Sequence, residues 1–169
     1  MQGSLHALAH LLAPWQSMFS NSKTISAAVT YVHLAALLFG GGFAVAADRA
    51  ALRAARGAPE RRRQLLDDLA AVHRPVLIGL GALAVSGVLL FTADVQTFAT
   101  SAVFWTKATL VALLIGNGYR LMRTERALRV GGEIDVGDPR WRRLRGAAMA
   151  SMILWAAVVL AGTVLTTVS

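Results

Sequence analysis

The sequence predicts an all-α integral membrane protein: a four-helix bundle with both termini on the outer side of the membrane. Three observations predict it. First, Thr24–Ala47, Pro75–Ala93 and Gly146–Ser169 contain no charged residue. Second, Ser101–Met122 is apolar apart from Lys107, Asn117 and Arg120. A spanning helix needs about 20 such residues, because the hydrocarbon core is ~30 Å thick and each helical residue rises ~1.5 Å. Segments apolar on every face are not the amphipathic stripes of a soluble bundle. Third, every arginine falls in one of two blocks, Arg49–Arg74 and Arg120–Arg145, which alternate with the spans. Under the positive-inside rule both blocks are cytoplasmic, which puts the N- and C-termini outside. With 169 residues, 56% of them hydrophobic, and a mean hydropathy of +0.55, the chain has room for one such domain.

The net charge of +8 would suit nucleic acid, but its distribution does not. The arginines are where topology requires them, and there they meet the bilayer surface and its anionic lipid headgroups. No nucleic-acid role is expected. The absence of cysteine excludes disulfides, thiolate metal sites and a catalytic thiol.

In chain order, residues 1–22 read as an amphipathic segment on the outer surface, with Leu5, Leu8, Leu11 and Leu12 on one face. Pro14 and the stretch "SMFSNSK" are expected to separate it from the first span. His6 and His10 have the i, i+4 spacing that can hold a metal, a weak signal from two exposed residues. The transmembrane domain occupies 23–169, with spans at about 24–47, 65–93, 101–122 and 144–168.

The first span raises the main chemical question, because "YVHLAALLFGGG" places His33 at membrane depth. Ser26, Thr30, Ala36, Leu37 and Gly40 share its helix face, a small and mildly polar stripe. Val32, Leu34, Leu38, Phe39 and Val45 lie on the other side. The His33 face should therefore point into the bundle. An imidazole there is either hydrogen-bonded packing, a metal or haem ligand, or a proton carrier.

The second helix should begin before the membrane, with Pro59 in its first turn and helical spacing through "ERRRQLLDDLAAVHR". Asp67 and Asp68 read there as partners for the arginines. Pro75 should loosen or kink this helix at the bilayer surface. His73 precedes it, as an interfacial residue or a second ligand. In the third helix, Lys107 follows Phe104 and Trp105. It can reach outward, pair with Asp94, or neutralise an anionic group held between the helices. Asn117 reads as interhelical glue. "VGGEIDVGDPRW" has irregular turn chemistry. Ala147, Ser151 and Ala161-Gly162 on the fourth helix form a small face suited to a second copy or another membrane subunit.

The halves share a layout of helix, basic loop and helix. "FGGGFAVAADRAALR" can be laid on "IGNGYRLMRTERALR", and "VSGVLLFT" on "LAGTVLTT". This is a weak two-hairpin repeat, with Thr109 and Ala148 at the positions of His33 and His73.

His33, the basic loop, "HRPVLIGLGALAVSGVLL", "FWTK" and "GNGYRLMRTERAL" follow one another in an order that resembles small four-helix bacterial membrane proteins. These are of the copper-resistance-D kind, the J-type protoporphyrinogen oxidase kind and related families. The likeness runs from about Ser22 to the C-terminus and rests on order and topology. It implies a multi-pass protein of the bacterial cytoplasmic (inner) membrane that binds haem b. His33 would be the iron ligand and Lys107 would lie near the haem, with His73, Arg74 and Trp105 as further candidates for the cofactor site. Electron transfer or an oxidation would follow. Helix lengths separate His33 from His73 by about 12–18 Å in depth, so one iron on both histidines would be strained. Two other readings stand beside this one. The first is a non-catalytic subunit or assembly factor of a larger membrane complex, or a homo-oligomer. The second is a copper-handling or transport protein, for which Met149 and Met152 are the only paired soft ligands within a span.

Overall fold

A computed structural model describes residues 2–54, 59–130 and 138–168. The side chains of His6 and His73 lie outside what is described, as do residues 131–137 of the expected irregular loop. The described residues form six helices and no strand: α1 (Gln2–Asn21), α2 (Lys23–Ala54), α3 (Pro59–Ala93), α4 (Val95–Thr100), α5 (Ala102–Val130) and α6 (Pro139–Val168). Three of them are long and apolar enough to cross a membrane, over Lys23–Arg53, Leu66–Ala93 and Pro139–Leu165. The fourth expected span, within α5, falls short of that standard. The polar or weakly apolar Trp105, Lys107, Asn117 and Tyr119 dilute its apolar run.

The helices overrun the expected spans at the Arg-rich end, where α3 starts at Pro59, α5 continues to Val130 and α6 starts at Pro139. Pro139 suits a first helical turn, since its missing N–H would be unpaired there anyway. Asp138 caps that turn, accepting the Arg140 backbone N–H at 2.8 Å. The expected separation of the N-terminal segment is smaller than "SMFSNSK" suggested. α1 runs through Pro14 to Asn21, and Ser22 alone divides it from α2. Its C-terminal part is docked on α3, with Trp15 Nε1 donating to the Leu89 carbonyl and Gln16 Nε2 to that of Thr92.

α2 and α3 form one antiparallel hairpin, and α5 and α6 form another. The hairpins join through α2 against α6. "GGG" explains how α2 serves both seams. A Cβ on Gly40 would lie 3.3 Å from Gly79 Cα of α3, one on Gly41 would lie 3.2 Å from the Trp155 ring of α6, and one on Gly42 would meet nothing. Two successive glycines thus let one helix approach two neighbours. The two halves are not equivalent, because α3 and α5 make no seam matching that of α2 and α6. At the Arg-rich end, Ala51, Leu66, Leu69, Leu128, Trp141, Leu144 and Ala148 form a core cluster. A second cluster, Ala36, Leu83, Leu114 and Trp155, fills the middle.

The α6 small face is used inside the chain. Ala147 and Ser151 are buried within the chain, whereas Ala161 and Gly162 are partly exposed and Gly162 packs against Lys107. The physical reason is the same as for Gly40: small residues allow close approach, and the nearest helices of the same chain take it.

Candidate functional site

The α2 stripe faces inward as its residue sizes require. Ala36 and Gly40 are buried, whereas Val32, Leu34, Leu38 and Phe39 are exposed. His33 is therefore turned towards α3, half-buried, with Nδ1 3.0 Å from Ser86 Oγ. Ser86 is itself buried, and its hydroxyl donates to the Ala82 carbonyl at 2.7 Å, with the Leu83 carbonyl at 3.2 Å. A serine hydroxyl has one proton. With that proton on a carbonyl, Ser86 Oγ can only accept from His33. Nδ1 then carries the imidazole hydrogen, and Nε2 is left with its lone pair. The Leu83 carbonyl also faces the ring as an acceptor, which agrees with a donor nitrogen on that side.

Room for the ring comes from Gly87, where a Cβ would stand 3.5 Å from His33 Cε1. The second hairpin repeats this device. A Cβ on Gly162 would stand 3.5 Å from Lys107 Nζ. Gly87 and Gly162 are matching positions of the "VSGVLLFT" and "LAGTVLTT" segments, so each hairpin uses one glycine to admit a polar side chain from its partner helix. Lys107 is half-buried, makes no hydrogen bond or ion pair among the described residues, and lies within electrostatic reach of His33. Of the three roles open to Lys107, pairing with Asp94 is not the one made, since Asp94 accepts the Thr97 N–H and caps α4.

The other candidates stand apart. On α3, His73 and Arg74 precede Ser86 by twelve or thirteen residues, about 20 Å along the axis. The His33 ring pairs with Ser86, more than three turns along α3 from His73. Arg74 is exposed. Trp105 is 56% exposed and donates from Nε1 to the Ala99 carbonyl at 3.0 Å, which ties α5 to α4 instead of facing His33. His10 is exposed. Asn117 does act as glue, with Nδ2 2.8 Å from the Ala147 carbonyl of α6. Among the described residues no three His, Asp or Glu side chains are grouped to hold a metal ion.

Beyond His33 towards the Arg-poor end lies an open cavity of about 600 Å³. Ser26 and Thr30 of the His33 stripe line it, with Lys23, Asp94, Phe19 and Phe98. An apolar groove of about 430 Å³ runs between α2 and α3 beside Ser86, with Val32 and Val85 among its lining residues.

A second polar group, at the Arg-rich end, escaped the sequence reading. Asp48, Arg62, Glu125 and Ser151 are all buried. Arg62 lies over the Trp141 ring at 4.9 Å, and Glu125 meets Arg129 at 3.4 Å. Arg129 also reaches the Leu66 carbonyl and Asp67. Burial pushes the Glu125 carboxyl above its ordinary range, against the opposing pull of Arg129 and Arg126. The available signal was helical spacing. Asp48 continues the inward stripe of His33, Gly40 and Gly41, so it had to enter the bundle although it stands next to an arginine.

Comparison with known protein families, curated proteins and solved structures finds no match.

Proposed function

We propose that this chain is an integral protein of the bacterial cytoplasmic membrane that holds a b-type haem through His33 and serves in electron transfer or an oxidation. The observation that carries the reading is the Ser86 hydroxyl, which fixes the His33 tautomer and leaves Nε2 as a neutral donor at membrane depth. A ligating histidine needs its other nitrogen held in this way. The residues present fit such a group: one imidazole donor and, for the carboxylates that haem carries, a lysine in reach of it that has no anionic partner among the described residues. When bound, haem supplies one-electron redox chemistry. Ser86 orients the ring, Gly87 leaves space for it, and Lys107 places positive charge at the same level. The order of motifs that resembles copper-resistance-D and J-type oxidase proteins agrees with this reading.

In the same proposal α2, α3, α5 and α6 all span the membrane. The polar residues that lower the hydropathy of α5 are largely absorbed by the bundle: Lys107 packs on Gly162, and Asn117 bonds to α6. The Arg-rich ends face the cytoplasm and its anionic lipids, and both termini lie outside. Cysteines placed at exposed Gln64 and Thr100 test this in intact cells, since the chain has no native cysteine. Thr100→Cys should label from outside and Gln64→Cys should not; the reverse pattern would overturn the topology.

Haem-replete protein should show a Soret band and a reduced-minus-oxidised difference spectrum, and His33→Ala should abolish or strongly change both. A colourless protein would end the haem reading. A spectrum unchanged in His33→Ala would end the ligand assignment alone.

The second reading is a subunit or assembly factor of a larger membrane complex. What favours it is the small buried share of the three candidate spans within the chain, 17%, 17% and 22%, which leaves most of their surface to lipid or another protein.

A further inference from the structure

We propose that Asp48 is a proton-binding site, a carboxyl buried in the seam between α2 and α6 that takes up a proton more readily than an exposed aspartate. The inference does not depend on haem. Asp48 is 3% exposed, and among the described residues its Oδ2 has no hydrogen-bond partner. The group facing it from α6 is the Ser151 hydroxyl. On either side along the seam stand the Gly41–Trp155 contact and the apolar packing of Ala51 with Ala148.

Among the described residues no cation pairs with the carboxyl. Arg49 and Arg53 of its own helix are exposed. Of the cations near this end, Arg62 lies over Trp141, Arg129 joins Glu125 and Asp67, and Arg140 joins Asp138. Asp48 forms no ion pair with any of them among the described residues. An isolated carboxylate in such a place costs many times what a neutral polar group does, and a group so placed takes up a proton instead. One donor suffices for the acid form, with the Ser151 hydroxyl placed to serve the carbonyl oxygen and Oδ2 carrying the proton. The ionised form would need further donors, which the described residues of the seam do not supply.

Asp48 is six residues from the end of α2 at Ala54, about 9 Å along the axis, so the proton exchanges with water at the Arg-rich end. The ligand is thus a proton, bound and released on the side proposed to be cytoplasmic. On release, the carboxylate must draw water or an arginine into the seam.

Infrared spectroscopy of the full chain in lipid vesicles tests this, because a protonated carboxyl has a C=O stretch distinct from that of carboxylate. At pH 5, where an ordinary exposed aspartate is ionised, the wild type should show the acid band. Asp48→Asn should lose it, and Glu125→Gln, which alters the other buried acid, should keep it. Should Asp48→Asn fail to assemble, wild type labelled with carboxyl-¹³C aspartate gives the same information, since only an aspartate band shifts on labelling. The proposal is overturned if no acid band is present at pH 5. It is equally overturned if the band survives Asp48→Asn or does not move on aspartate labelling.

Discussion

Replacing Gly79 with alanine should loosen the α2–α3 hairpin, and the structure sets the size of the effect. A Cβ at Gly79 would stand 2.7 Å from Gly40 Cα and 3.1 Å from Gly40 N. Both are backbone atoms, so no side chain can rotate away and the helices must part by several tenths of an ångström. Overpacking of this kind costs about 1–3 kcal/mol. Alanine returns about 0.5–1 kcal/mol by helix propensity. The control is Gly81→Ala, two residues further along α3, where a Cβ would meet nothing within 4 Å. Both substitutions gain the same propensity, so their difference isolates the steric term of about 1–3 kcal/mol, with Gly79→Ala the less stable. The Gly40–Gly79 crossing lies seven residues from the His33–Ser86 level on both helices, with Gly40 after His33 on α2 and Gly79 before Ser86 on α3. A hairpin forced open at the glycines therefore also stretches the 3.0 Å bond between His33 and Ser86. Reversible unfolding in mixed detergent micelles, followed by circular dichroism, measures the difference. Equal stability of Gly79→Ala and Gly81→Ala would refute the close crossing and the argument built on it.

Two further outcomes are expected. Asp138→Ala removes the cap of α6 and should cost about 0.5–2 kcal/mol in the same unfolding assay. The Glu125 carboxyl is raised by burial, so the native state holds its proton more tightly than the unfolded chain does. Its stabilising contribution is present at low pH and is lost as the pH rises from the ordinary glutamate range through the raised native value. Glu125→Gln should flatten that slope in stability measured across the acidic-to-neutral range.

The helices and the inward face of α2 were legible because they follow from hydropathy and from residue size at 3.6-residue spacing, as Ala36 and Gly40 show. Pairings between helices were not. Nothing in the local sequence of Ser86 says that it meets His33, since that depends on how far two antiparallel helices slide. The same sliding decides that Gly40 meets Gly79. Trp105 and Lys107 are neighbours in sequence, yet one faces outward and the other packs on α6, a split that composition cannot announce. On the α6 small face, residue size marked a close contact, and only the three-dimensional arrangement shows that Ala147 and Ser151 make theirs within the chain. Asp48 was hidden by its neighbour Arg49, which made the pair look like an exposed basic loop.

The comparison of the two hairpins carries the functional argument one step further. Gly87 and Gly162 make the same kind of opening, and the side chains admitted are an imidazole in one hairpin and an ammonium in the other. If the openings served packing alone, an apolar side chain would fill either at lower cost, because polar groups at membrane depth must be compensated. His33 is compensated by Ser86. Lys107 has no such partner among the described residues, so the uncompensated half of the pair is the cation. A ligand that joins a neutral nitrogen donor to negative charge would satisfy both residues together, and haem with its carboxylates is such a ligand. Removing the cation should then act on retention or potential, and removing the imidazole on the spectrum itself. Lys107→Met should accordingly leave a Soret band in place with weaker haem retention or a shifted potential. Loss of the band in Lys107→Met, with the protein still folded, would show that the two residues do not divide the work in this way.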